Sequence, residues 1–151
     1  MQTATIADFI RQWDSEDGQY PTEEDTVLYR FRDGKLVFYI GITLRGVNIR
    51  LSEHFGLEQH APSPIGRLFH RMLPYSVEWS VDLYTTDELR KYVRRTMIRQ
   101  DKPAYMWRHI GEWSSDSVAR AAEVLMIARD RPCLNIHSNL NPKPLPAKYR
   151  M

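Results

Sequence analysis

The stretch TVLYRFRDGKLVFYIGIT, residues 26–43, constrains what the chain can fold into more than any other. Two runs rich in β-branched and aromatic residues flank Asp33 and Gly34, and an Asp-Gly pair in that setting is a strong short-range signal for a β-hairpin. The second run, Val37 to Ile40, suits a buried strand, but Gly41 interrupts it and Tyr39 sets a phenolic hydroxyl in its middle. Immediately afterwards, RGVNIRLSEHF puts Val47, Leu51 and Phe55 on one stripe of a short helix. The hairpin is therefore expected to feed directly into a helix.

The flanking sequence extends this to a small α/β (α+β) domain, a mainly antiparallel three-stranded sheet flanked by helices. SVEWSVDLYT supplies the third strand, with Val77, Trp79, Val81 and Leu83 alternating inward against Glu78 and Asp82 on a solvated face. TIADFIRQW, with Ile6, Phe9, Ile10 and Trp13 at helical spacing, gives a first short helix, and PIGRLFHRML gives another that Pro74 ends. TDELRKYVRRTMIRQ reads as a helix capped by Thr86 with Leu89, Val93 and Met97 inward. DSVARAAEVLMIARDRPCLN reads as a longer one, begun at Ser115 or Asp116 and closed before Pro132. Residues 1–25 then hold the first helix and an acidic connector, and residues 26–140 the main domain with a basic helix inserted near 86–102. Residues 141–151 form a Pro-rich basic tail, extended or partly disordered.

With 151 residues, 42% apolar and 26% charged, the chain suffices for one domain that buries roughly 70% of its unfolded surface. No run reaches the roughly 18 apolar residues that cross a bilayer. The start MQTATIADFIRQW lacks the charged-then-apolar order of a signal peptide, so a cytoplasmic protein with no membrane partner is expected. Cys133 is the sole cysteine, which excludes an internal disulfide and a cysteine-based zinc cage. A net charge of +2 and a pI near 8.7 are too mildly basic to name a nucleic-acid partner by themselves.

Two places set polar chemistry against the fold. Glu123 lies mid-helix with Ala119, Met126 and Ile127 one turn away, beside the stripe that faces the core. Either it sits at the edge of that stripe and reaches solvent or an arginine, or it holds a metal or a proton, because a buried unpaired carboxylate is costly. Arg50 and His54 share one face of their helix, with Cβ atoms about 6 Å apart. An arginine that forks onto phosphate beside a histidine that carries a proton suits a phosphodiester, and an ordinary solvated helix face has the same look. Tyr29 and Tyr39 likewise have a plain core-filling reading. His60, His70, His109 and His137 have no partner at metal-ligand spacing, and Trp79, Trp107 and Trp113 read as core or surface aromatics.

Taken in order, VLYRFRDGKLVFYIGIT, NIRLSEHF and AAEVLMIARDRPCLN resemble the GIY-YIG nuclease family over about Thr26 to Asn135. The resemblance implies two hairpin tyrosines, Tyr29 and Tyr39, an arginine on the next helix, Arg50, and a histidine one turn later, His54. It further implies a metal-binding glutamate, Glu123, and a closing asparagine, Asn135, that fixes the loop after the glutamate helix. The second motif is intact as Tyr39-Ile40-Gly41, whereas the first reads Val27-Leu28-Tyr29 in place of Gly-Ile-Tyr. The implied activity is metal-dependent DNA endonuclease, with Mg²⁺ or Mn²⁺ on Glu123, Arg50 on the phosphate, and Tyr29 or Tyr39 assisting water with His54 as relay. Gly41 lets backbone or phosphate approach closely. Lys91, Arg94 and Arg95, on one face of the basic helix, and Arg67 are candidate DNA contacts, although a solvated amphipathic helix fits the first three equally. The alternative is a catalytically weak or inactive nucleic-acid-binding or protein-interaction module on the same fold. Monomer and homodimer both stay open.

Overall fold

The computed structural model describes residues 1–13, 25–44, 46–56 and 63–150, apart from the side chains of Gln12, Trp13 and Asn48. The acidic connector up to residue 24, His60 and Pro62 lie outside the described residues. β2 (Thr26–Asp33) and β3 (Leu36–Ile42) pair antiparallel as the expected hairpin, with Asp33 opposite Leu36. Gly34, the first turn residue, takes a φ of +58°, where a Cβ is strained and glycine is not. β4 (Ser80–Thr85) pairs along the other side of β2. The sheet has four strands, not three: β1 (Gln2–Thr5) adds antiparallel to β4, giving the order β1-β4-β2-β3. Its sequence, QTAT, carries no apolar alternation, so periodicity does not mark it as a strand.

Helices cover both faces of the sheet. On the first, α1 (Ile6–Trp13), α2 (Val47–Phe55) and α3 (Pro64–Arg71) bring Phe9, Phe55 and Phe69 against Phe31, Phe38 and Trp79. On the second, α4 (Thr86–Arg99) and α5 (Ser115–Asp130) pack Leu89, Val93, Val118, Met126 and Ile127 onto Leu28 and Ile40. Ala119 and Ala122 are fully buried there, and their small side chains let α5 lie close to the strands. Each large side chain buried in these layers stabilises the fold by about 1.5–3 kcal/mol. Thr85, not Thr86, caps α4 through a reciprocal pair with Glu88, and Ser114 caps α5 one residue before the expected start. Among the described residues, no helix is long and apolar enough to cross a membrane.

The helices on the second face change the environment of Asp82. The alternation in β4 points it away from the aromatic layer, but that side is covered, and Asp82 is fully buried instead of solvated. Its carboxylate accepts hydrogen bonds from Thr3 Oγ1 at 2.8 Å, Arg30 Nε at 2.8 Å and Arg32 Nε at 2.7 Å. Arg30 reaches onward to Asp130 of α5 at 2.9 Å. Burial alone would raise the Asp82 pKa, but the bonds from Arg32, Thr3 and Arg30 outweigh it and hold the carboxyl low. One carboxylate thus joins β1, β2, β4 and, through Arg30, α5. The tail departs from the sequence reading in the same sense: it is docked. Tyr149 is buried at 2% exposure, with its ring 5.1 Å from that of Phe38. Its hydroxyl donates to the Asp33 carboxylate, and Arg71 donates to its carbonyl.

Asp82→Ala leaves Arg32 without its counter-charge and Arg30 with Asp130 alone, both partly desolvated. Stability is expected to drop by about 3 kcal/mol, read as a lower urea midpoint at unchanged slope. An unchanged midpoint would show that the cluster does not hold the sheet.

Candidate active site

The hairpin register shifts between Phe31, which faces Tyr39, and Arg32, which faces Val37, so Phe38 is an extra residue in β3. A bulge of this kind re-aims the side chain that follows it. Phe38 and Tyr39 both pack on the first face, Ile40 packs on the second, and Gly41 lies opposite Tyr29. Tyr39 thereby stacks on Tyr29, with ring centroids 6.3 Å apart and 29° between the planes.

Gly41 has a specific occupant. A Cβ at that position would lie 2.4 Å from Tyr29 Oη and 2.5 Å from its Cζ. The approach that this glycine permits is therefore that of the Tyr29 ring, not of a phosphate. Tyr29 is 1% exposed, and its hydroxyl lies 2.8 Å from His54 Nε2 and 3.3 Å from Arg50 Nε.

Donor and acceptor inventory gives the contacts a direction. Arg50 Nε can only donate, so the Tyr29 oxygen accepts from it and offers its own proton to His54. Burial first, and then Arg50, hold the His54 pKa at about 4, so at neutral pH the ring is uncharged and Nε2 accepts. Nδ1 then carries the ring proton and donates to Ser63 Oγ. Ser63 is the N-cap of α3 and also accepts from the Gly66 amide at 3.3 Å. The run is Arg50 to Tyr29 to His54 to Ser63. Burial, reinforced by Tyr39, pushes the Tyr29 pKa well above that of an ordinary phenol, while Arg50 opposes the shift. Burial raises Tyr39 as well. Arg50 also binds Glu53 at 2.9 Å and lines a cleft of about 410 Å³ with Thr43, Asp116 and Arg120.

Glu123 approaches from the other layer. It is half-buried on α5 and lines a second cavity, of about 260 Å³, with Tyr39, Pro64, Asn135 and His137. Among the described residues no side chain hydrogen-bonds or ion-pairs with its carboxylate; Arg120 and His137 act on it only across a distance, and burial raises its pKa. A half-buried carboxylate without a direct counter-charge suits a hard cation, and one carboxylate with water and phosphate completing the shell is how Mg²⁺ is commonly held. The donor set therefore fits Mg²⁺ or Mn²⁺ shared with a substrate. It does not make an all-protein cage, since no three His, Cys, Asp or Glu side chains group together among the described residues.

Asn135 sits against the strand that carries Tyr39. Its Oδ1 accepts from the Ile40 amide at 2.9 Å and its Nδ2 donates to the Ile40 carbonyl at 2.8 Å. The Leu134 amide donates to the Phe38 carbonyl at 2.8 Å, so the chain beyond α5 runs along β3 with the Asn135 side chain acting as a strand's peptide group.

The candidate DNA contacts are not brought together. Arg67 is exposed on α3 over the first face, and Lys91, Arg94 and Arg95 are exposed on α4 over the second. Ser63, Glu53 and Arg120 are site neighbours that sequence reasoning did not single out. The Ser63-Pro64 pair is a helix-start signal that placed a hydroxyl near His54, but nothing in it named the partner. The chain matches no protein-family model, no curated protein and no solved structure.

Two outcomes follow from this geometry. Gly41→Ala forces the Tyr29 ring to move, and thermal unfolding is expected to show a loss of about 1–3 kcal/mol; wild-type stability would mean that the ring has room. For His54, the unfolded chain takes up the proton near pH 6.5 and the folded chain only near pH 4. Stability should therefore fall by roughly 3 kcal/mol as pH drops through that window, and His54→Gln should remove this part of the slope. An identical pH profile for the variant would contradict the buried neutral ring.

Proposed function

We propose that the chain is a metal-dependent DNA endonuclease of the GIY-YIG kind, hydrolysing phosphodiester bonds. One observation carries the reading: the run Arg50, Tyr29, His54 is stacked against Tyr39, and Tyr39 shares a cavity with the carboxylate of Glu123, which no side chain among the described residues pairs with. Hydrolysis needs water relieved of a proton, charge on the phosphoryl oxygens offset, and the departing 3′ oxygen stabilised. Arg50 holds a non-bridging phosphate oxygen and offsets its charge. Tyr29 takes the proton of the attacking water as it hands its own to His54 Nε2, so the buried phenol never becomes an anion. Burial is the main cause that keeps His54 neutral and repulsion from Arg50 the second; negative phosphate beside Arg50 reduces the second, which makes His54 a better acceptor with substrate present. Tyr39 positions the water or the phosphate. A divalent cation, which Glu123 would hold, would supply Lewis acidity at the departing oxygen.

A second reading, a nucleic-acid-binding or protein-interaction module without catalysis, draws on a specific observation. At rest Tyr29 is raised and His54 lies near pKa 4, so neither group is poised as a base at neutral pH.

Supercoiled plasmid with Mg²⁺ or Mn²⁺ separates the two. The nuclease should nick or linearise it, Glu123→Ala should abolish cutting while the fold is kept, and Tyr29→Phe should slow it by about 10²- to 10⁴-fold. Cutting at the wild-type rate by Glu123→Ala would remove its role as metal ligand, and binding without cutting would favour the module.

A further inference from the structure

The outer face of α4 is rich in cations. Lys91, Arg94, Arg95 and Arg99 are exposed, and none pairs with a carboxylate among the described residues. The acids of the first turn, Asp87 and Glu88, are engaged with Arg90 and with the Thr85 cap. A solvated helix that only needs solubility alternates charge with i,i+4 partners; here Asp87 stands four residues before Lys91, but from Lys91 to Arg99 every charge is positive.

One aromatic ring, that of Trp107, stands beside that charge, and a second follows the same helix. Chain reversal after α4 forms a 3-10 turn, Ala104–Met106, that leaves Tyr105 73% exposed. Trp107 follows, its Nε1 donating to the Lys102 carbonyl at 3.2 Å, which fixes the ring. The Arg94 guanidinium lies over that ring, 5.8 Å from its centroid. In the sequence Trp107 reads as a core or surface aromatic, and Tyr105 is not singled out.

We infer that this face is a binding track for single-stranded nucleic acid, DNA under the reading above, on which that choice of polymer rests. Cations that follow the backbone, together with exposed rings on which bases stack, are the two components of single-strand recognition. A duplex keeps its bases stacked internally and has no use for an exposed Tyr105. The substrate class this assigns to the enzyme is DNA with a single-stranded flank or branch.

The test is fluorescence anisotropy of the full chain in EDTA, so that cleavage plays no part, with a labelled oligothymidylate of about 20 nucleotides and a duplex of the same length. Tyr105→Ala is expected to weaken single-strand binding by about tenfold or more and to leave duplex binding nearly unchanged. Arg94→Glu with Arg95→Glu should weaken it further and flatten the salt dependence by about 0.7 in logarithmic slope for each cation removed. Wild-type single-strand affinity in either variant overturns the track, and equal losses on duplex and single strand overturn its single-strand character. A chain that binds through α4 but never cuts would sink the nuclease reading and spare this one; a chain that cuts yet ignores these substitutions would do the reverse.

Discussion

The placement of the Tyr29 ring on Gly41 is the constraint around which the candidate site is arranged. With no Cβ beneath it, the phenol lies flat enough on the neighbouring strand for its hydroxyl to meet both Arg50 and His54. The bulge at Phe38 completes the arrangement, since a regular strand would have turned Tyr39 toward the aliphatic layer. A sheet irregularity and a missing side chain therefore set two phenols, a guanidinium and an imidazole in mutual contact.

Burial is what gives those groups their chemical character. It keeps both phenols protonated and His54 unprotonated, so the resting site holds a hydrogen-bonded proton path and few mobile charges. Arg50 and Glu53 pair with each other, and Glu123 stands apart on α5, a helix of the opposite layer. The site thus draws on both faces of one sheet, and its two halves meet at the outer side of β3.

How much of this was legible in the sequence depended on whether a local pattern had a single structural meaning. The Asp-Gly hairpin signal and the stripe of Val47, Leu51 and Phe55 have one: the hairpin forms, turning at Gly34 and Lys35, and α2 appears where it was expected. Alternation around Asp82 has two meanings. It tells which side of β4 a residue occupies but not whether that side is wet, and here helices cover it. β1 was illegible because Gln2–Thr5 is held by pairing with β4 and not by an apolar face of its own. The run Val37 to Ile40 is apolar throughout, so no alternation reveals the bulge that turns Tyr39. Tyr149 was read as part of a free arm because prolines and cations around it mask one aromatic that the core accepts. Arg50 and His54 were legible as neighbours on a helix; that Ser63 completes the run was not, because it depends on how α3 folds back.

The Asn135 contact makes β3 an outer strand with the chemistry of an inner one. Its Ile40 amide and carbonyl are already satisfied, and the Val37 and Phe38 carbonyls are taken by Cys133 and Leu134. A second copy of the chain finds no open ladder there on which to add a strand, so self-association by sheet extension is blocked beside the site. For the same reason the Ile40 amide should exchange its hydrogen slowly, in step with opening of the whole sheet rather than with fraying of its edge.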